Sequence, residues 1–293
     1  MHQIFSRQSI YGWLLLLPAA ILLFAFTYYP MAGTFFDSIF NEGSGSLSSR
    51  YNGPLNYQML MIDPVFKTVL INNAIFALGT IPVSIGLALM MALIVDQHFL
   101  GRSLVRMAFF TPTVLPMIAV ANIWLFFYTP DIGLIDSLLA FFGIEGPNWL
   151  GDPDTVLSAI IVMAIWKEAG FFMIFYLAAL QTISPELKEA AKLEGAGKLY
   201  YFRRVLFPLL MPTTLFISIN AVINSFKLVD HLFILTKGGP DNASNLLLYH
   251  IYETAFSYFD QGYAAALTVV LLLILASFAI VQFFFFDRRI HYR

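Results

Sequence analysis

Residues 189–208 read EAAKLEGAGKLYYFRRVLFP, with six acidic or basic side chains (Glu189, Lys192, Glu194, Lys198, Arg203 and Arg204) between long apolar runs on either side. Each flanking run is long enough to cross a hydrocarbon layer, which takes about 20 residues at the helical rise. A polar helix-forming stretch between two such runs reads as a short connection at a membrane surface. Its place in the order of spans then decides which surface it occupies.

The rest of the chain supports a membrane setting. Of 293 residues, 59% are hydrophobic and 12% charged, about half the 25% charge of a soluble domain. The mean hydropathy is +0.76. Too little charge remains to cover a water-facing surface, so the expected fold is an all-α polytopic membrane protein. A net charge of −2 and the lack of a basic tail give no reason to expect a nucleic-acid partner. With no cysteine, disulfides, thiol catalysis and cysteine metal sites are excluded, while the compartment stays open.

Six spans are predicted, at about 11–36, 69–95, 107–128, 156–180, 205–235 and 263–286. The first is too long for a cleaved leader, and YYPMAG is a poor small-residue cleavage site. Orientation follows from lysine and arginine in the short loops. With the N-terminus inside, Arg7, Arg102, Arg106, Lys188, Lys192, Lys198, Arg203, Arg204, Arg288, Arg289 and Arg293 fall inside; Arg50, Lys67, Lys167, Lys227 and Lys237 fall outside or within the membrane. Eleven against five places both termini in the cytoplasm. Residues 1–293 are therefore expected to form a single transmembrane domain, with segment 184–208 in the cytoplasmic loop between spans four and five.

That segment has helix-start signals. Ser184 is placed to cap, Pro185 to occupy the first helical position and Glu186 to sit in the first turn. Leu187, Ala190, Ala191 and Glu194 then share one face. Gly195 and Gly197 are expected to end this helix and KLYYFRRV to start a second short one.

On these residues the chain resembles the permease subunits of bacterial binding-protein-dependent ABC importers. Glu189-Ala190-Ala191, Gly195-Ala196, Phe202, Val205 and Pro208 are similar to the family's EAA coupling motif, with Glu194, Val205 and Phe207 where aspartate, isoleucine and leucine are usual. The stretch LTKGGPDNAS, Leu235 to Ser244, is similar to the LT-GGP outer loop of the carbohydrate-type branch. The resemblance, which spans nearly the whole chain, implies a multi-pass protein of the bacterial inner membrane with no catalytic site. ATP and magnesium would be bound by two copies of a cytoplasmic ATPase. A second six-span permease and an extracytoplasmic solute-binding protein would complete the assembly. Glu189, Ala190, Ala191, Glu194, Gly195, Ala196 and Pro208 would couple to the ATPase, and Gly238, Gly239 and Pro240 would belong to the binding-protein loop. GAGK at 195–198 is no phosphate loop, because Lys192 stands where the first glycine is required. The histidines show no ligand spacing, so no metal site is expected.

Polar groups inside spans are costly and mark pathways or interhelical bonds. In span five, Asn220, Asn224, Lys227 and His231 recur at helical intervals, and Asp230 lies within reach of Lys227. Two readings stay open. Asn220, Asn224, Ser225, Lys227 and Leu228 line a lane for a polar solute, or the asparagines tie helices together and Lys227–Asp230 is a structural pair. In span four two readings again stay open: Trp166 stacks on a sugar ring or packs in the core, and Lys167 and Glu168 form an exposed or paired charge at mid-depth, or Glu168 pairs with another helix; Asn122 and Trp124 in span three are weaker candidates of the same kind. Asn72 and Asn73, near the outer end of span two, are expected to be structural. Residues 37–66 read as a flexible loop leading to a short helix, and 129–155 contain an apolar-periodic segment suited to the outer surface.

The solute class implied is a sugar or sugar-like compound, with glycerol-3-phosphate-type anions as the alternative. Outside the family, an ion-coupled secondary transporter would use Glu168 and Asp230. The two halves of the chain show no repeat to support it.

Overall fold

A computed structural model describes residues 7–42, 49–51, 53–227 and 229–287. The chain divides into two compact units, one of residues 1–63 and 251–272, the other of residues 64–250 and 273–293.

The first unit opens with α1 (Arg7–Leu23), a π-turn at Phe24–Tyr28, and α2 (Tyr29–Asp37). Together they make the first candidate span, Tyr11–Asp37. The π-turn directly precedes Pro30: the Tyr29 N–H bonds back to the Phe24 carbonyl, five residues away. That widened turn lets the rod continue past a residue that has no N–H and crowds the preceding turn. The all-α expectation needs one correction, because β1 (Phe40–Glu42) and β2 (Ser49–Tyr51) pair antiparallel, with Phe40 opposite Tyr51. The short helix expected after this region is α3 (Leu55–Ile62). Its Asn56 amide donates to the Ser38 and Phe40 carbonyls at 2.9 and 3.2 Å, so the backbone after α2 is tied to α3. Within this unit α14 (Gln261–Asp287) starts, and its Tyr263 hydroxyl donates to the Asp63 carboxylate.

The second unit is organised on α4 (Pro64–Asp96) and α8 (Pro153–Thr182). Small residues allow close packing, as they do where lipid supplies no hydrophobic drive. Gly79 lies where an added methyl would come within 3.1 Å of Ile161, and Thr80, Ser84, Ala88 and Ala92 of α4 are buried. Thr80 and Ser84 return their hydroxyls to the carbonyls of Phe76 and Thr80, so neither hydroxyl is orphaned at the seam. Asp152 caps α8 through the Asp154 N–H, and Pro153 takes the first position.

Around this pair stand α5 (Arg102–Val114), α6 (Met117–Phe127), α7 (Leu134–Phe141), α9 (Pro185–Leu193), α10 (Lys198–Tyr201), α11 (Phe207–Lys227) and α12 (Asp230–Leu235), and α13 (Leu247–Tyr252) starts within this unit. Two apolar clusters fill the unit. One gathers Phe76, Val120, Trp124, Ile160, Met163 and Leu232; the other gathers Ala88, Val95, Phe172, Tyr176, Leu210 and Ile217. Between them, α8 carries Trp166, Lys167, Glu168, Ala169 and Gly170. The unit thus has two oily layers and a polar waist.

Among the described residues, five helices are long and apolar enough to cross a membrane: Tyr11–Asp37, Pro64–Asp96, Pro153–Thr182, Lys198–Leu235 and Gln261–Phe284. The sixth predicted span, 107–128, is broken: α5 and α6 meet at 103°. Pro116, which starts α6, holds Leu115 extended (ψ 135°) and ends α5. Span five also differs from expectation. The second short helix after Gly197 is not separate. A π-turn at Phe202–Leu206, with the Phe207 N–H on the Phe202 carbonyl, runs α10 into α11 just ahead of Pro208, as before Pro30. Further on, Val229 (φ −118°) interrupts the helix between α11 and α12.

Candidate functional site

Three sets of predicted residues occupy distinct places in the second unit. The first is α9. Ser184 accepts the Glu186 N–H at 3.3 Å and Pro185 is the first helical residue, as the sequence indicated. The helix stops at Gly195, whose φ of +75° lies in the left-handed region that glycine occupies without penalty. The Gly195 and Ala196 N–H groups then return to the carbonyls of Lys192 and Ala191. Glu189, Ala190 and Glu194 are exposed, and Ala191 and Ala196 are half-covered. No α9 residue is buried against its own chain, and Leu193 is 90% exposed. Pro208 lies beyond the π-turn, inside the helix that continues from α10.

The second set is the waist. Glu168 is buried, and its polar neighbour on α11 is the Asn224 side chain, so α8 and α11 meet through two predicted residues. Asn220, one turn before Asn224 and likewise half-buried, donates to its own helix at Phe216, 2.8 Å away. Trp166 is 37% exposed and meets the edge of Trp124, ring centres 5.8 Å apart. Asn122 is exposed on α6, its amide on the Ile118 carbonyl at 2.8 Å.

The stripe expected on span five divides here. Ser225 does not accompany Asn224: a residue one step on is turned by about 100° around the helix, and Ser225 is buried with its hydroxyl on the Val222 carbonyl. His231 leaves the stripe because the helix breaks before it. It is fully buried, stacked over Phe76 at 6.3 Å. Lys227 and Asp230 stand on opposite sides of that break, both exposed, and among the described residues no ion pair joins them. Leu228 lies outside the described residues.

Lys167 has a role that its sequence context did not reveal. Its ammonium donates to the carbonyls of Leu115 at 2.7 Å and Pro112 at 3.3 Å, at the open C-terminal end of α5. The Thr113 hydroxyl donates back to the Lys167 carbonyl at 3.4 Å. Gly170 lets the helices touch, since a methyl there would sit 2.2 Å from the Phe109 carbonyl oxygen. The available signal was the pair of prolines in TPTVLP, Pro112 and Pro116, four residues apart.

The third set is the loop after α12. Gly238 (φ +80°) is buried, and a methyl there would press on Tyr249 and Asn245 at 3.2–3.3 Å. Gly239 and Pro240, joined by a cis peptide, are half-covered. The Ser244 hydroxyl donates to the Gly239 carbonyl at 2.6 Å. Two asparagines of α4 hold this loop. Asn72 donates both amide hydrogens, to the Asn242 and Asn245 carbonyls at 2.8 and 3.0 Å. Asn73 donates to the Ser225 carbonyl at 3.3 Å and accepts the Leu247 N–H at 2.6 Å, joining the end of α11 to the start of α13. The structural role expected of both is specific: they shape the loop of Gly238, Gly239 and Pro240.

Residues 84–292 match the family described as binding-protein-dependent transport system inner membrane component. The chain belongs to that family. It is 30% identical to the sn-glycerol-3-phosphate transport system permease protein UgpA of Agrobacterium fabrum over the whole of both chains. It is 33% identical to the lactose transport system permease protein LacF of Rhizobium radiobacter, over 94% of each chain. In fold it is similar, with a TM-score of 0.81, 22% identity and 93% of both chains covered, to a chain of a crystallised bacterial alginate ABC transporter in complex with an alginate pentasaccharide-bound periplasmic protein.

Proposed function

We propose that this chain is one of two membrane subunits of an ABC importer, acting as a single permease domain with both termini in the cytoplasm. It forms half the pathway for a solute delivered by an extracytoplasmic binding protein. The observation that carries the coupling role is α9: a well-capped polar helix with a glycine turn, leaving the membrane-crossing bundle with none of its residues buried in its own chain. Such a helix gains its packing from something else. A cytoplasmic ATPase pair is the partner, with Glu189 as the polar contact, Ala190 and Ala191 as the close-packing face and Gly195 as the turn. ATP and magnesium belong to that partner, and this chain carries no catalytic group. Gly238, Gly239 and Pro240 belong to the loop that meets the binding protein.

The pathway groups are Glu168 and Asn224, with Asn220, Trp166 and Asn122 around them. Lys167 spends its donors on backbone carbonyls, so at this level the groups that α8 and α11 offer a solute are the Glu168 carboxyl and the Asn224 amide, both hydrogen-bonding groups. That balance favours an uncharged, hydroxyl-bearing solute such as a sugar. The name of the glycerol-3-phosphate relative keeps an anionic solute as the second reading.

The deciding experiment measures ATP hydrolysis by the assembled complex in lipid, with candidate binding proteins loaded with neutral sugars or with glycerol-3-phosphate. Stimulation by a sugar-loaded protein is the expected result, and stimulation only by the phosphate-loaded one selects the anion. An assembly that neither binds an ATPase nor responds to any loaded protein overturns the importer reading.

A further inference from the structure

The waist contains a cation whose partners are all backbone. Lys167 could have paired with the carboxylate beside it, yet Glu168 points about 100° away around α8 and meets Asn224 instead. The last carbonyls of any helix lack partners, and in an apolar surrounding water does not replace them. At the end of α5 the deficit is acute, because Pro116 has no N–H to offer and forces the chain out of helix at Leu115. An ammonium is suited to this place: it has three donors, and its charge meets the negative end of the helix dipole. The Lys167 bonds to Pro112 and Leu115 bracket the break, the Thr113 bond fastens it from the other direction, and Gly170 sets the separation one turn further on.

We propose that Lys167 is a positioning residue that locks the α5–α6 bend, making it a fixed elbow carried by α8. The ammonium contacts no solute in this role. It determines where α6, with Asn122 and Trp124, stands relative to Glu168 and Asn224. The elbow itself follows from the geometry, and its bearing on transport rests on the importer reading above.

The chain has no cysteine, so two introduced cysteines carry spin labels without background. Met107 on α5 and Ile118 on α6, 61% and 60% exposed, are suitable label sites. Electron–electron distance measurement on the complex in lipid should give one narrow distribution for the doubly labelled parent chain. Lys167→Met should broaden or displace it, since leaving those carbonyls unpaired shifts the bent population by roughly tenfold or more. Lys167→Arg, which keeps the donors, should preserve it. Lys167→Gln, with a neutral two-donor amide, should fall between and serves if Lys167→Met does not fold. A distribution unchanged in both Lys167→Met and Lys167→Gln overturns the proposal, as does a Lys167→Arg chain as disordered as Lys167→Met. Solute uptake by the same variants is the second readout: loss in Lys167→Met with rescue in Lys167→Arg is expected. Because the distances need no solute, a failed importer reading leaves the elbow result standing, and an unlocked elbow with normal uptake removes only its part in transport.

Discussion

Gly170 and Gly86 are both glycines inside long apolar helices, and a methyl group would meet different surroundings at each. At Gly170 it would collide with the Phe109 carbonyl, a backbone atom that moves only if α5 moves; at Gly86 nothing lies within 4 Å. Gly170→Ala should therefore cost about 1–3 kcal/mol through overpacking. Gly86→Ala should be neutral or gain up to about 1 kcal/mol from helix propensity, and thermal unfolding of the two variants side by side reads the difference. The asparagines give a second contrast. Asn72→Leu and Asn73→Leu each strand two backbone groups, at about 1–3 kcal/mol per buried orphan. Asn220→Leu loses only a bond to its own helix and should cost clearly less. An equal loss for all three would show that the ties to residues 242–247 do not hold the loop. None of these partnerships was legible in the sequence. Asn72 is separated from its acceptors by 170 and 173 residues and Lys167 from its own by 52 and 55, and a bond to a backbone carbonyl leaves no mark on the residue that supplies it.

At the scale of elements, α9 was the most legible part of the chain, because capping and termination are local chemistry. Ser184, Pro185 and Gly195 act within one turn of their own positions. Breaks inside spans were read poorly for the converse reason. A window of about 20 apolar residues averages across Leu115 and Pro116, and hydropathy does not register a 103° bend. The same averaging hid the interruption at Val229, and with it the separation of His231 from the asparagine stripe. The independence of α9 makes a prediction of its own. Gly195→Val places a β-branched side chain at φ +75°, a conformation that penalises a non-glycine residue by roughly 1–2 kcal/mol. Because no α9 residue is buried in the chain, thermal stability of the isolated subunit should barely change. ATP-driven uptake should fall sharply, as it should for Glu189→Lys. Full uptake with either substitution would remove α9 from the coupling role.

At the scale of the whole molecule, the sidedness of the chain remains a matter of charge counting, and it can be tested directly. Eleven of sixteen lysines and arginines fall on the side assigned to the cytoplasm, and the inference assumes that each apolar helix crosses once. The critical stretch is Lys198–Leu235, which stands as one candidate span despite its break at Val229. If it crosses, Glu194 and Asp241 lie on opposite sides of the membrane; if the break turns it back, they share a side. Both residues are exposed. In the cysteine-free chain, Asp241→Cys should react with a membrane-impermeant thiol reagent in intact cells whose outer barrier has been opened. Glu194→Cys should react only after the inner membrane is breached. The reverse pattern would invert the topology and move α9 away from any cytoplasmic ATPase. Labelling of both from outside would make Lys198–Leu235 re-entrant, and the pathway built on Asn220 and Asn224 would then have to be abandoned, because those residues would not lie along a crossing.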